Sequence, residues 1–227
     1  MIAYNNLINI VRRNLKPDLV IFDCDGVLVD SEPISNQVLS ELLTEIGLPT
    51  TFEKSLELFL GKSWQDSLKT IESLLGKKPP ENLFDEYMKR MFKLFETDLE
   101  PIKGIPQVLD NLNFPKCVAS SGPYEKIYKT LGSTQLLSFF EGNIFSAVDV
   151  KNGKPAPDLF LHAARQMNSD PTNSVVIEDS PAGIEAALKA NMKVLAFDQF
   201  GYNHFIPSNK GKTFSSMKDL INIIDHL

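Results

Sequence analysis

The chain has 227 residues, of which 43% are hydrophobic and 23% charged, and carries a formal net charge of −6. Such a composition is that of an ordinary soluble protein, and the length suits one domain carrying an insert, or two small ones. The acidic balance and the lack of a basic stripe weigh against nucleic acid as a partner, and no run approaches the ~20 apolar residues needed to span a bilayer.

Met1 to Leu15 has no long apolar core followed by a small-residue cleavage site, so a signal peptide is not expected. Leu19-Val20-Ile21-Phe22 predicts a buried strand, and directly behind it stands Asp23-Cys24-Asp25-Gly26-Val27. If the strand runs on through Cys24, Asp23 and Asp25 point to one side of it. An isolated Asp-x-Asp-Gly is more often an acidic turn closing a strand, so the rest of the chain has to decide.

After Asp25 the pattern turns helical. The predicted helices are Ile34 to Ile46, stopped by Gly47 and Pro49; Phe52 to Leu60, stopped by Gly61; Trp64 to Leu75, stopped by Gly76; and Glu81 to Phe95. Leu39, Leu42, Leu43 and Ile46 form the apolar stripe of a helix in a small bundle.

Beyond Pro101 helices and strands alternate. Helix Ile105 to Leu112, strand Cys117 to Ala119, helix Tyr124 to Leu131 and strand Ile144 to Ser146 come first. Helix Asp158 to Met167, strand Ser174 to Ile177, helix Pro181 to Ala190 and strand Lys193 to Phe197 follow. The segment Asn203 to Thr213 is expected to be a surface connection before a last helix, Met217 to His226. This alternation implies α/β architecture with a doubly wound parallel sheet, and the helical block is an insertion between its first two strands. Cys24 and Cys117 each end an apolar run, as small buried thiols do, which fits a reducing, cytoplasmic setting.

Ligands of such sheets bind beyond the carboxyl ends of the strands. Past those ends stand Asp23 and Asp25, Ser120 and Ser121 with Gly122, Glu178 and Asp179, and Lys154 in the loop Gly153-Lys154-Pro155. A cluster of acids requires a cation beside a phosphate, and Mg²⁺ takes oxygen ligands and phosphate together. Asp23 and Asp179 are the leading ligands, Glu178 acts directly or through water, and the backbone carbonyl of Asp25 completes the set. Lys154 and Ser120 supply charge and a hydrogen bond to a phosphoryl group, with Asp23 as nucleophile and Asp25 as acid and base. On this view Lys154 serves chiefly the ligand, and its loss should spare stability.

Asp23-x-Asp25-Gly26-Val27, Ser120, Lys154 and Glu178-Asp179 resemble, in order and in placement after strands, the four signature motifs of the haloacid dehalogenase superfamily. The resemblance runs from about Asp18 onward. It implies a Rossmann-like core, residues 1–32 and 100–227, with an α-helical cap at 33–99. Dehalogenases of that group lack the second aspartate of the first motif, and phosphonatases carry alanine there, so the resemblance implies a phosphatase or phosphomutase of a small phosphorylated metabolite; separately, a monomer or weak homo-oligomer is expected. Asp30-Ser31-Glu32-Pro33 resembles the opening of sugar-phosphate members, but Ser35 stands where the mutase-like pattern has histidine. The stretches Lys116 to Pro123 and Leu161 to Ala164 are most similar to bacterial 6-phosphogluconate phosphatases.

Lys62, Ser63 and Trp64 fall where caps of that family present a specificity loop, although a surface turn explains them equally well. Glu32 is expected to be a helix N-terminal charge, Lys126 and Lys129 a solvated helix face, and His162, His204 and His226 structural or solvated.

Overall fold

A computed structural model of the chain describes residues 16–60, 62–199, 201 and 206–227. The expectations for Met1 to Leu15, for Gly61 as a helix stop and for His204 fall outside the described residues. Strands β1 (Leu19–Phe22), β2 (Lys116–Ser120), β3 (Ile144–Ser146), β4 (Ser174–Glu178), β5 (Lys193–Phe197) and β6 (Gly211–Phe214) form one sheet in the order β3-β2-β1-β4-β5-β6. Every pairing is parallel, so the sheet is doubly wound on β1.

Helices α1 (Glu32–Glu45), α2 (Phe52–Phe59), α3 (Trp64–Leu75) and α4 (Leu83–Phe95) all lie between β1 and β2 in the chain. The later helices are α5 (Ile105–Asn111), α6 (Tyr124–Ser133), α7 (Asp158–Gln166), α8 (Pro181–Lys189) and α9 (Leu220–Asp225). None of the described helices is long and apolar enough to cross a membrane.

The run Leu19 to Phe22 is apolar throughout because both faces of β1 are covered. Val20 and Phe22 pack with Leu131, Phe140 and Ile127 on one side, while Leu19 and Ile21 pack with Leu159, Phe160 and Ala163 on the other. All of these side chains are buried. Both cysteines are free and buried, as expected.

In the insertion, α1 turns Val38, Leu39, Leu42 and Leu43 inward against α2 and α4. Local chemistry sets the joints: the Thr51 hydroxyl accepts from the Lys54 amide to start α2, and the Ser63 hydroxyl accepts from the Asp66 amide to start α3. Helix α4 packs on α6, which ties the insertion to the sheet-bearing part of the chain.

The structure corrects three expectations. The segment before the last helix contains a strand, β6, pairing in parallel with β5 from Val194–Gly211 to Phe197–Phe214. A four-residue edge strand that buries only Phe214 carries too little apolar pattern to announce itself. The last helix is shorter than expected, a 3₁₀ turn at Met217–Asp219 leading into α9. Strand β1 stops at Phe22 and does not reach Cys24, because the chain turns there: Leu28 and Val29 both donate to the Cys24 carbonyl, and Gly26 adopts φ +76°.

Candidate active site

Asp23 stays aligned with the sheet although it lies outside β1, since its amide donates to the Ile177 carbonyl of β4 at 3.0 Å. The turn after it, rather than strand alternation, brings Asp25 to the same cavity. Gly26 is required at that turn twice over: its φ is left-handed, and a Cβ there would meet Asp179 Oδ2 at 2.1 Å.

Four loops meet at this rim. Lys154, its side chain 5% exposed, donates to Asp23 Oδ1 and to Glu178 Oε1, each at 2.7 Å. The second oxygen of Glu178 accepts from the Ser180 amide at 2.6 Å and from the Ser180 hydroxyl at 3.0 Å. The same hydroxyl accepts from the Gly183 amide and caps α8. Glycine at 183 leaves room for the Glu178 carboxylate, because a Cβ at that position would lie 1.7 Å from Glu178 Oε1. Ser120 ends β2 and Glu178 ends β4, so each is the last residue of its strand rather than a loop residue. The Ser120 oxygen accepts from the Gly122 amide at 3.1 Å, which leaves its proton free to donate. Ser121 is exposed at the rim of the cavity.

Asp25 sits in a different field from Asp23. Lys126 donates to its Oδ2 at 2.8 Å and Ser31 to its Oδ1 at 2.5 Å. Burial works to raise the Asp25 carboxyl, but the Lys126 ammonium and the Ser31 hydroxyl outweigh it and hold the group below its ordinary value. Asp23 goes the other way: burial, then Glu178 and Asp25, raise it from 3.8 to about 7 against the opposing pull of Lys154. Burial, Glu178 and Asp23 likewise push Asp179 well up.

Lys126 is thus no part of a solvated face, with a side chain only 17% exposed. It lies in the first turn of α6, which carries it back over the loop after β1. Lys129, one turn on, does sit at the surface, paired with Glu96. Glu32 stands in the first turn of α1 as expected, and it also lines the cavity, where burial raises it to about 7. His162 packs edge-on against Phe145 and His226 bonds the Asn222 carbonyl, both structural as expected.

The cavity over these groups, about 290 Å³, is floored by the strand ends and walled by the insertion. Trp64 stacks on Tyr87 at 5.0 Å, and the two line the wall with Met88 and Met91. Lys62 lies exposed at the mouth.

One ligand oxygen each from Asp23, Glu178 and Asp179 lies within 4.8 Å of the others. Lys154 bridges two of the three carboxylates, which leaves an excess of two negative charges when all are ionised, and hard oxygen donors with that excess fit a small divalent cation such as Mg²⁺.

The profile of haloacid dehalogenase-like hydrolases matches residues 20–197, and the chain belongs to that family. Among its relatives, the 6-phosphogluconate phosphatase of Escherichia coli K12 is 31% identical over 207 residues, 89% of this chain and 92% of that protein. The phosphorylated carbohydrates phosphatase of Thermotoga maritima is 32% identical over 186 residues, 78% of this chain and 82% of that one. A haloacid dehalogenase-like protein of unknown function from Agrobacterium tumefaciens superposes with a TM-score of 0.77 at 38% identity, over 91% of this chain and 97% of that chain.

Proposed function

We propose that this phosphoric monoester hydrolase acts on a phosphorylated sugar or sugar acid, passing the phosphoryl group to Asp23 and then to water. The observation that carries the reading is that two carboxyls of one turn face the same cavity with different partners. Asp23 is bonded by Lys154 and clusters with Glu178 and Asp179, whereas Asp25 is held apart from that cluster by Lys126 and Ser31. Two acids so divided suit two roles, one as nucleophile beside the cation and one as proton carrier. The relatives named above, which act on 6-phosphogluconate and on phosphorylated carbohydrates, support the substrate class.

In this mechanism Lys154 and the Ser120 hydroxyl orient the phosphoryl oxygens while Asp23 attacks phosphorus in line. Asp25 gives a proton to the departing alkoxide and takes one back from the water that attacks the phosphoryl-aspartate. Its ion pair with Lys126 favours the second of these transfers. Asp23, Asp179 and the Asp25 carbonyl would hold Mg²⁺, with Glu178 acting through water because its two oxygens already serve Lys154 and Ser180. When bound there, the ion supplies positive charge to the phosphate. We assign residues 33–99 as a cap over residues 1–32 and 100–227, since the insertion forms the wall opposite the strand ends. Lys62 at the mouth is placed to meet the far end of an acidic substrate, so 6-phosphogluconate is the first candidate. Ser35 donates to the Met91 sulfur at 3.4 Å and offers no imidazole for the second transfer of a mutase, which favours the phosphatase.

A screen of phosphorylated metabolites for phosphate release tests this reading. Release from sugar or sugar-acid phosphates, abolished by EDTA and restored by Mg²⁺, is expected; equal release in metal-free buffer would contradict the cation site. The titration behaviour gives an independent check. A carboxyl raised in the folded state, as Asp23 is from 3.8 to about 7, costs stability as pH rises through that interval, and cation binding relieves the cost by displacing the proton. The rise in Tm caused by Mg²⁺ should therefore be larger at pH 8 than at pH 5.5, and an equal or larger rise at pH 5.5 would count against the site.

A further inference from the structure

Two segments that would flank the phosphoryl group are fastened to each other outside the cavity. One runs from Ser120 at the end of β2 through Gly122 to α6, and the other from Ser146 at the end of β3 to Lys154. Ser120 and Ser146 are partners in the register of β2 and β3, so both segments leave the sheet at the same level. Ser146 is fully buried, and its hydroxyl donates to the Gly122 carbonyl at 2.7 Å while accepting from the Val148 amide at 3.2 Å.

Three residues on, side chains alone repeat the fastening. Asp149 closes a 3₁₀ turn at Ala147–Asp149, where its Oδ2 accepts from the Ser146 amide at 3.3 Å. The same oxygen accepts from the Tyr124 hydroxyl at 2.6 Å, while His162 Nε2 stands 3.9 Å away, beyond hydrogen-bond reach. Tyr124 is the first residue of α6, and its ring stacks on Tyr128 with centroids 6.1 Å apart. Burial and the Asp149 carboxylate push the Tyr124 hydroxyl up to about 12, so it remains a donor across neutral pH. Tyr124, Ser146 and Asp149 do not line the cavity, so none of them is a binding group. Lys154 is anchored at its tip by Asp23 and Glu178, whereas what holds the turn after β2 from the side of β3 is Ser146 and Asp149.

We propose that Tyr124 and Asp149 are positioning residues, a clasp that holds the turn at 120–122 and the Lys154 loop in the shape that receives a phosphoryl group before it arrives. This rests on the phosphatase reading above and adds to it two residues outside the cavity. A bound phosphoryl group bridges Ser120 and Lys154 itself and restores the shape, so the cost of losing the clasp falls on binding and not on the bound complex. All phosphate esters should feel the loss alike, because the clasp stands behind the phosphoryl group and touches no part of the alcohol.

The test measures, at saturating Mg²⁺, the competitive inhibition constant of orthophosphate together with KM and kcat for p-nitrophenyl phosphate. Tyr124→Phe keeps the ring and its stack and removes only the hydroxyl. It should raise the inhibition constant and KM together by about fivefold, the scale of one net hydrogen bond, while kcat stays within about twofold, a split that general loosening of the fold does not produce. Asp149→Ala should do the same, and Asp149→Asn, which keeps an oxygen for the Tyr124 hydroxyl, should recover most of the loss. An unchanged inhibition constant in Tyr124→Phe, a fall confined to kcat, or an Asp149→Asn variant as impaired as Asp149→Ala would overturn the clasp alone. A wild-type protein that neither hydrolyses p-nitrophenyl phosphate nor binds orthophosphate would overturn the phosphatase reading and the clasp with it.

Discussion

Asp23→Asn should reduce turnover by about a thousandfold or more while leaving the fold intact, because the change keeps the side-chain shape and removes the nucleophile. The fold has little to lose at this position. The Asp23 carboxyl is raised to about 7 by burial and by its acidic neighbours, so the metal-free protein carries it at a cost that a neutral amide avoids. The amide oxygen still accepts from Lys154. Phosphate release and circular dichroism, measured together, check the two halves of the expectation. Retention of more than about a tenth of the activity in a folded protein would refute the assignment of Asp23.

Lys154→Ala should act on both activity and stability. The ammonium binds Asp23 and Glu178 at 2.7 Å each from a position only 5% exposed, so it is both the phosphoryl-facing charge and the counter-ion of two buried acids. Loss of one preorganised electrostatic contact should lower kcat by about 10² to 10³. Breaking a buried pair from one side costs about 3 to 5 kcal/mol of stability. The sequence-based expectation that stability is spared took Lys154 as a ligand-binding group alone, and the burial of its partners reverses it. Unchanged kcat/KM would show the phosphate site to be elsewhere; unchanged Tm would show the ion pairs to be energetically idle.

The strand-ending motifs were legible because each follows an apolar run that the parallel sheet buries on both faces. Asp23, Ser120, Glu178 and Asp179 could be placed on one rim from sequence for that reason, whereas Lys154 stands in a loop beyond β3 and follows no such run. Their electrostatic partners could not. Lys126 and Lys129 share one helical face in sequence, yet a single turn of α6 separates a buried ion pair with Asp25 from a surface pair with Glu96. Helical spacing reports which residues are neighbours and says nothing of what the helix end points at. Ser31 and Ser180 were hidden in the same way, since a serine next to a helix start signals a cap, and only Ser180 is one. Gly183 did leave a trace: glycine in the first turn of a helix costs about 1 kcal/mol relative to alanine, and here it makes room for the Glu178 carboxylate. Strand β6 left none, with two exposed residues among its four.

The most direct test of the account is a ³¹P NMR time course on the purified protein with Mg²⁺ and no added bisphosphate, following 6-phosphogluconate and β-glucose 1-phosphate in parallel. A phosphatase with Ser35 in place of an imidazole should release inorganic phosphate in step with substrate loss, with no isomeric ester accumulating. Conversion of β-glucose 1-phosphate to glucose 6-phosphate faster than phosphate appears, or no phosphate from either ester, would contradict it.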